Sequence, residues 1–265
     1  MTHERVDWIV SNKIELAVSI DGTAPLHDKY RIDASGNGSF GKLYRALSYV
    51  KKTYPNYLKA ISLIMTIADV SKIIEIAKSW HEDELLRDWA PTMLNSIAPN
   101  FEKGVLLADY EEDRVFYSEL LNVYEKHRDW IVMKVFFDFC VAYWHNRPIF
   151  RISQDVPMAT CLPMNSKLYI DVNLQVAVCE KVKDTNRIGD VIHGVDWNKA
   201  NELVKKYYSN RIERCRFCPA IRMCNMCLMA VDNNDAEWDI LCHNEKVSTR
   251  IFMYLYCEMA ERGML

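Results

Sequence analysis

Residues 215–227 have the sequence CRFCPAIRMCNMC, in which two Cys-x2-Cys pairs are separated by five residues. A two-residue gap lets both sulfurs of a pair face one site, while the intervening backbone amides remain free to hydrogen-bond the thiolates. Burying four thiols for packing alone would not require this spacing. The stretch therefore predicts that its cysteines are metal ligands.

Three more cysteines flank this stretch, so that seven of the nine in the chain lie between Cys161 and Cys242. Two Cys-x2-Cys pairs also suit a four-cysteine zinc site, but seven ligands exceed one zinc and are one short of two. Iron–sulfur ligation accounts for seven, with four thiolates on one cubane and three on another. The spacing favours iron–sulfur clusters and leaves zinc open as the alternative.

The composition excludes several functional classes. The chain has 265 residues, half of them hydrophobic, and a net charge of -3, which predicts a folded core and argues against nucleic acid or an anionic membrane surface as partner. The first residues, MTHERVDWIVSNK, lack the apolar core of a signal peptide, and no run of 18 uncharged apolar residues is present. We therefore expect a cytoplasmic protein without a membrane span, whose thiols are not disulfides.

The first half of the chain alternates strand and helix patterns. Apolar runs at 14–20, 57–67 and 92–97 predict buried strands, and helical spacing of apolar residues at 39–53 and 70–80 predicts two helices. Strand, helix, strand, helix, strand is the order of a parallel α/β unit.

The second half begins with aromatic-rich residues 114–145, which predict one or two long helices. A β-hairpin is expected around Asn173-Leu174, followed by helices near 197–208 and 248–262. We place the domain boundary near residue 150, which gives domains 1–150 and 151–265.

The cysteine spacing resembles the SPASM domain of peptide-modifying radical S-adenosylmethionine (radical SAM) enzymes. Three stretches between about 150 and 245 carry the likeness, with the sequences CLPMNSKLYIDVNLQVAVCEKV, IGDVIHGVD and YSNRIERCRFCPAIRMCNMC. Two positions depart from the family pattern. Leu174 stands where the hairpin turn usually has Gly, and the gap between Cys224 and Cys227 has two residues where three are common.

The resemblance implies two auxiliary [4Fe-4S] clusters. The ligands of auxiliary cluster I, nearer the active site, would be Cys161, Cys179 and Cys227. The ligands of auxiliary cluster II would be Cys215, Cys218, Cys224 and Cys242. Cys140 and Cys257 lie outside the pattern and are expected to pack as small apolar groups. Glu180, beside a ligand cysteine, is a candidate catalytic base, with a solvated charge at a strand end as the alternative.

Near the N-terminus, AVSIDG, HDKYR and GNGSFGKLYRAL resemble the fourth strand of the radical SAM barrel with its following loop and helix. The resemblance implies that Ser19, Asp21 and Arg31 contact S-adenosylmethionine. The GNGSFG segment also matches the dinucleotide-binding pattern GxGxxG. It does not directly follow a strand, and no acidic residue ends a second strand about twenty residues later, so we interpret it as a loop leading into a helix.

Radical SAM chemistry requires a further cluster, bound by Cys-x3-Cys-x2-Cys, but no cysteine precedes Cys140. We therefore expect a C-terminal fragment that does not cleave S-adenosylmethionine alone. S-adenosylmethionine and a third [4Fe-4S] cluster would belong only to a full-length parent. The expected fold class is α/β, with a partial (β/α) barrel followed by a small cysteine-rich α+β SPASM domain that has a β-hairpin and a C-terminal helix.

The resemblance implies that the parent is an oxidoreductase that matures a ribosomally made peptide, for example by forming a cysteine thioether crosslink. Its partners would be the precursor peptide and an electron donor. Two alternatives stay open. One is another SPASM enzyme, such as a sulfatase-maturing or quinone-cofactor-building type. The other is a catalytically silent iron–sulfur or zinc module that acts in binding or electron transfer.

Overall fold

The structure is a computed structural model, and it describes residues 2–96, 108–145, 168–180, 187–224, 226 and 235–265. The chain forms two compact units. Unit 1 comprises Met1–Leu106 and Val115–Cys140, and unit 2 comprises Leu107–Arg114 and Val141–Leu265. The assignment of separate functional domains to 1–150 and 151–265 stays a prediction.

The predicted elements of the first 145 residues follow one another in the predicted order, and two α-helices that were not predicted are added, one at the N-terminus and one after the first strand. In chain order they are α1 His3–Ser11, β1 Leu16–Ser19, α2 Ala24–Tyr30, α3 Phe40–Thr53, β2 Ile61–Ile67, α4 Ile73–Glu82, β3 Met93–Ser96, α5 Tyr110–Lys126 and α6 Ile131–His145. Short 3-10 helices at Pro55–Ala60 and Val70–Lys72 precede β2 and α4.

Strands β1, β2 and β3 form a three-stranded parallel sheet in that order. Leu16 is opposite Ile61, and Ile64 is opposite Met93. The predicted parallel strand–helix–strand–helix–strand unit is therefore confirmed. Since parallel strands are joined by crossovers, α3 and α4 follow β1 and β2 as the covering helices.

The core of unit 1 lies on one side of β2, where Leu63 and Met65 are completely buried. Leu47 of α3 and Ile73 of α4 are also completely buried, at the apolar positions that helical spacing predicts. Gly22, just after β1, has φ +102°, and a Cβ there would lie 2.8 Å from Cγ1 of Ile76. Glycine therefore lets the chain leave β1 close to α4.

Helices α5 and α6 correspond to the predicted helical region 114–145, divided into two helices. Leu121, Met133 and Phe137 are completely buried. The rings of Tyr124 and Phe137 stack with their centroids 4.7 Å apart. These aromatic side chains therefore form core, as the sequence predicts.

Unit 2 contains an antiparallel sheet and two long helices. Its elements are β4 Tyr169–Ile170, β5 Gln175–Ala177, β6 Arg187–Asp190, β7 Gly194–Val195, α7 Trp197–Cys215 and α8 Asp235–Glu261. The strands pair in the order β4-β5-β6-β7. The predicted hairpin is confirmed, and both predicted helices exist but are longer than the sequence indicates.

Helix α7 packs on this sheet through a small apolar core. Its members are Val176, Val178, Ile188, Ala200, Leu203 and Tyr207. The Asp196 carboxylate accepts hydrogen bonds from the backbone amides of Asn198 and Lys199 and so caps the helix. The helix then continues to Cys215, which places the first cysteine of the dense segment at its C-terminal end.

Within the described ranges, no helix combines the length and the apolar character needed to cross a membrane.

Candidate metal centre

Five of the seven predicted ligand cysteines lie in the part of the chain that the structure describes. Cys179 follows β5, Cys215 ends α7, and Cys242 lies on α8. Cys218 and Cys224 lie in the turns after α7. Cys161 and Cys227 fall outside the described residues, so their assignment as ligands stays a prediction.

Cys215, Cys218, Cys224 and Cys242 form what we call the four-cysteine group. Burial raises the pKa of Cys215, the Arg211 guanidinium lowers it, and the other three thiols of the group raise it. The other three thiols are therefore near enough to Cys215 for their charges to affect it. The resemblance assigns the same four residues to auxiliary cluster II.

The pKa of Cys242 is also affected by other thiols of the four-cysteine group. Burial raises it, the Lys246 ammonium lowers it, and Cys218 and Cys224 raise it. Since only thiolates bind metal, a metal that binds here must displace protons. Among the described residues, no three His, Cys, Asp or Glu side chains are grouped so that they could hold a metal ion.

Backbone turns set the positions of the cysteines after α7. The amide of Cys218 donates to the carbonyl of Cys215 at 2.8 Å, and the amide of Met226 donates to Sγ of Cys224 at 3.4 Å. The Tyr207 hydroxyl donates to the carbonyl of Met226 at 2.8 Å. This buried hydrogen bond ties the cysteine segment to the helix that precedes it.

A second tyrosine anchors the same segment. The Tyr143 hydroxyl donates to the carbonyl of Met223, next to Cys224. Burial raises the pKa of Tyr143 to about 12. The hydroxyl therefore stays protonated and able to donate at neutral pH.

Arg211, which sequence reasoning missed, is the most unusual side chain near these cysteines. It is completely buried, and its Nη1 lies 3.7 Å from Sγ of Cys224. Its Nε and Nη2 atoms have no hydrogen-bond partner in the described part of the chain. The available signal was its place four residues before Cys215, on the same face of a helix.

A buried guanidinium with free donors fits an anionic group beside it. Four cysteine thiolates around a divalent ion or an iron–sulfur cubane leave the whole site negatively charged. Such a site would supply the acceptors that Arg211 lacks, since buried charges are normally paired. The donor set and the orphaned guanidinium therefore suit an iron–sulfur cubane, although the described side chains are not grouped so that they could hold a single metal ion.

Cys179 and Glu180 lie together at the end of the hairpin. The Cys179 thiol donates to Oε2 of Glu180 at 3.3 Å, and Cys179 packs against the apolar core under α7. Glu180 itself is exposed. Its role as a catalytic base stays a prediction.

The hairpin turn has a left-handed residue at Leu174, the position where the sequence departs from the Gly of the family that it resembles. Leu174 has φ +60°, in the left-handed region. Its amide donates to the carbonyl of Asp171 at 3.0 Å, and the Asp171 carboxylate accepts from the amides of Asn173 and Gln175 at 2.8 and 2.9 Å. These hydrogen bonds hold Leu174 in a left-handed backbone conformation that glycine would adopt without strain.

Leu174→Gly is therefore expected to raise the free energy of unfolding by about 1 kcal/mol. The substitution removes the cost of a left-handed L-residue, about 1–2 kcal/mol. Part of this stabilisation is offset because glycine loses more backbone entropy than leucine when the chain folds. Urea unfolding measures the change. The control is Val172→Gly, two residues earlier in the same turn and 96% exposed. Its φ is not positive, so that substitution should lower stability. A destabilised Leu174→Gly would contradict the strained turn.

The three residues proposed for S-adenosylmethionine lie at the end of β1 and after α2. Asp21 and Arg31 form an ion pair through two hydrogen bonds. Oδ1 of Asp21 also accepts from the amide of Thr66 on β2 at 2.9 Å. Ser19 is the last residue of β1. The structure thus joins Asp21 to Arg31, and the role of all three toward S-adenosylmethionine stays a prediction.

Sequence reasoning did not select His27, yet the His27 side chain organises this loop. His27 is buried; its Nδ1 accepts from the amide of Asp21 at 3.2 Å, and its Nε2 lies 3.0 Å from Oγ of Ser39. Because the Ser39 hydroxyl donates to the carbonyl of Arg31 at 2.8 Å, Nε2 is the protonated nitrogen of a neutral ring. Burial lowers the pKa of His27, against opposing effects of the Asp21 and Asp28 carboxylates.

His27→Gln is expected to flatten the decline of stability on acidification. Below about pH 6.5 the unfolded His27 takes up a proton that the folded ring takes only at lower pH, so the wild type loses stability from about pH 6.5 downwards. Urea unfolding at pH 7 and pH 5 measures this loss, which should be smaller in His27→Gln. The exposed His3→Gln is the control and should keep the wild-type loss. If His27→Gln and the wild type lost equal stability, the lowered pKa of the buried His27 would be refuted.

The GNGSFG segment is a loop leading into α3, as predicted. Oδ1 of Asp33 accepts from the amides of Ser35 and Asn37 at 2.8 and 3.0 Å, and its other oxygen pairs with Lys42. The Lys42 hydrogen bond first, then the two amides, lower the pKa of Asp33 to about 2. The loop is held by its own hydrogen bonds.

The two cysteines outside the spacing pattern behave differently from each other. Cys140 is completely buried in α6, as expected for a small apolar group. The same expectation is wrong for Cys257, which is exposed on α8. Its position on the outer face of an amphipathic helix leaves the thiol in solvent.

No protein-family model matches the sequence, and no curated protein matches it. Solved structures do match. The chain is 14% identical to anSMEcpe with bound AdoMet, with a TM-score of 0.62, covering 98% of this chain and 71% of that one. It is 13% identical to anSMEcpe with bound AdoMet and Kp18Cys peptide, with a TM-score of 0.61 and coverage of 98% and 72%. Over 98% of its length, the chain is therefore similar in fold to anSMEcpe.

Proposed function

We propose that this chain is a radical SAM/SPASM protein that binds two auxiliary [4Fe-4S] clusters and takes part in the maturation of a ribosomally made peptide. The observation that carries the proposal is the completely buried guanidinium of Arg211, whose Nη1 lies 3.7 Å from Sγ of Cys224 and whose Nε and Nη2 have no hydrogen-bond partner in the described part of the chain. The likeness in fold to anSMEcpe, which was solved with AdoMet, supports the same family.

In this proposal, the four-cysteine group holds auxiliary cluster II. Cys179 holds auxiliary cluster I together with Cys161 and Cys227, which lie outside the described residues. The three-cysteine cluster keeps one position open for a substrate thiolate or water. When bound, these clusters take up and release single electrons.

The protein's own residues have definite tasks around the clusters. Tyr207 and Tyr143 hold the cysteine segment by hydrogen bonds to the carbonyls of Met226 and Met223. Glu180, hydrogen-bonded by the Cys179 thiol, is the group that would accept a proton from the substrate near auxiliary cluster I. Asp21 and Arg31 would bind the polar groups of S-adenosylmethionine, with Ser19 beside them.

A peptide substrate is supported by the neighbours, since anSMEcpe was solved with the Kp18Cys and Cp18Cys peptides. We propose a precursor peptide and an electron donor as the partners, and a cysteine thioether crosslink as the product, formed in the cytoplasm. A sulfatase-maturing reaction is the second candidate, because anSMEcpe is an anaerobic sulfatase maturase. A neighbouring gene for a small cysteine-containing peptide would favour the first, and a neighbouring sulfatase gene the second.

Metal analysis of anaerobically purified protein tests the proposal. We expect about eight irons and about eight acid-labile sulfides per chain, as two cubanes require. The visible spectrum should show broad thiolate-to-iron absorption that dithionite bleaches. Zinc alone, without sulfide, would refute the iron–sulfur proposal.

A further inference from the structure

We propose that Arg211 is the buried counter-charge of auxiliary cluster II, where its guanidinium donates hydrogen bonds to the cluster's sulfur atoms and favours the reduced state. The inference rests on the proposed function, since it requires a cluster at the four-cysteine group. It assigns a redox role to a residue that is not a metal ligand.

The geometry places Arg211 against two of the proposed ligands. It lies one helical turn before Cys215 on α7, and its Nη1 is 3.7 Å from Sγ of Cys224. The side chain is completely buried, so water does not screen this interaction.

The described residues around Arg211 do not compensate its charge. Among them, Nε and Nη2 find no hydrogen-bond partner and no carboxylate forms an ion pair with the guanidinium. The ring of Tyr207, 5.8 Å from the guanidinium carbon, offers a π-face but no hydrogen-bond acceptor. A guanidinium does not lose its proton in proteins, so the charge persists and requires an anion.

An iron–sulfur cluster with four thiolates is that anion, and it becomes more negative by one charge when it accepts one electron from an external donor. Hydrogen bonds from a charged donor strengthen as the acceptor gains negative charge. Hydrogen bonds to the sulfurs and burial are known controls of cluster reduction potential. Arg211 therefore raises the potential of this cluster without changing any bond of its own.

The test is a reductive titration of the cluster-loaded full chain, monitored by electron paramagnetic resonance, with Arg211→Met. At a fixed potential, we expect the ratio of reduced to oxidised auxiliary cluster II to fall about tenfold, a shift of about 59 mV for one electron. The signal of the other cluster should not move. An unchanged ratio in a variant that keeps its full iron content would overturn the inference.

Arg216→Met is the matched control. It removes the same charge next to Cys215, but Arg216 is exposed and solvent screens it. We expect a shift much smaller than tenfold. A shift as large as that of Arg211→Met would mean that general charge, rather than the buried guanidinium, sets the potential, and would overturn the inference.

Metal-free protein separates a redox role from a structural one. Replacing an unpaired buried charge by an apolar side chain should leave the metal-free protein equally or more resistant to urea. If Arg211→Met instead unfolds the metal-free protein, Arg211 is structural and the inference fails. Arg211→Lys keeps the charge without the planar fork and should shift the ratio less than Arg211→Met.

The proposed function fails on a different result. Wild-type protein without iron and sulfide would refute the clusters themselves, before any variant is compared. Suppose instead that the wild-type protein contains about eight irons and that Arg211→Met leaves the ratio of reduced to oxidised auxiliary cluster II unchanged. That result refutes only the role of Arg211.

Discussion

Cys218→Ala is expected to halve the iron content of the anaerobically reconstituted protein, from about eight to about four atoms per chain. The four-cysteine group holds one cubane in our proposal, and three remaining thiolates of a four-ligand site bind it less tightly. Cys179→Ala should also leave about four irons, because Cys179 belongs to the other cluster. Iron and acid-labile sulfide analysis measures both.

Double variants test the grouping of the ligands. Cys218→Ala with Cys242→Ala should lose no more iron than Cys218→Ala alone, because both residues serve one cluster. Cys218→Ala with Cys179→Ala should lose nearly all of it. Cys257→Ala, at an exposed position outside the pattern, is the control and should keep the full iron content. Additive loss in the first pair would refute the assignment of these cysteines to one cluster.

Leu63→Ala is expected to lower the free energy of unfolding by about 2–5 kcal/mol, the usual cost of truncating a buried leucine. Leu63 is completely buried in β2, the central strand of the parallel sheet. Its carbonyl also accepts hydrogen bonds from the amide and hydroxyl of Thr92 at 2.8 and 3.0 Å. The substitution leaves a cavity beside β2, the strand whose Thr66 amide donates to Asp21.

Urea unfolding of metal-free protein measures this loss, so that cluster binding does not contribute. Ser62→Ala, next in the strand but exposed on the opposite face, is the matched control and should change stability by less than about 0.5 kcal/mol. A loss for Leu63→Ala as small as that of the control would mean that the core of unit 1 is not where the structure places it.

The strands and helices of unit 1 could be predicted because their apolar runs and helical spacing are local patterns. The run at 57–67 contains β2, Ile61–Ile67, and the pattern at 39–53 contains α3, Phe40–Thr53. The lengths of α7 and α8 could not be predicted in the same way. Polar residues such as those between 209 and 214 carry no apolar period, and their helical state depends on what the helix packs against.

The candidate site was only partly accessible from sequence. Cysteine spacing pointed to ligands, because metal chemistry imposes short and regular gaps between them. The spacing of cysteines along the sequence does not determine which of them are buried. The expectation that Cys257 packs in the core was therefore wrong. His27 and Arg211 carry no motif, and their importance comes from buried neighbours distant in the chain or across a helix turn.

From the order of residues alone come the parallel α/β unit, the hairpin around Leu174 and the cysteine spacing that points to metal, since each depends on neighbours within a few positions. Folding in three dimensions adds that Asp21 pairs with Arg31, that Arg211 lies against Cys224, and that its guanidinium is buried without a carboxylate partner among the described residues. The reason is physical: the energy of a charge depends on the solvent and partners around it, and these are known only once the chain has folded.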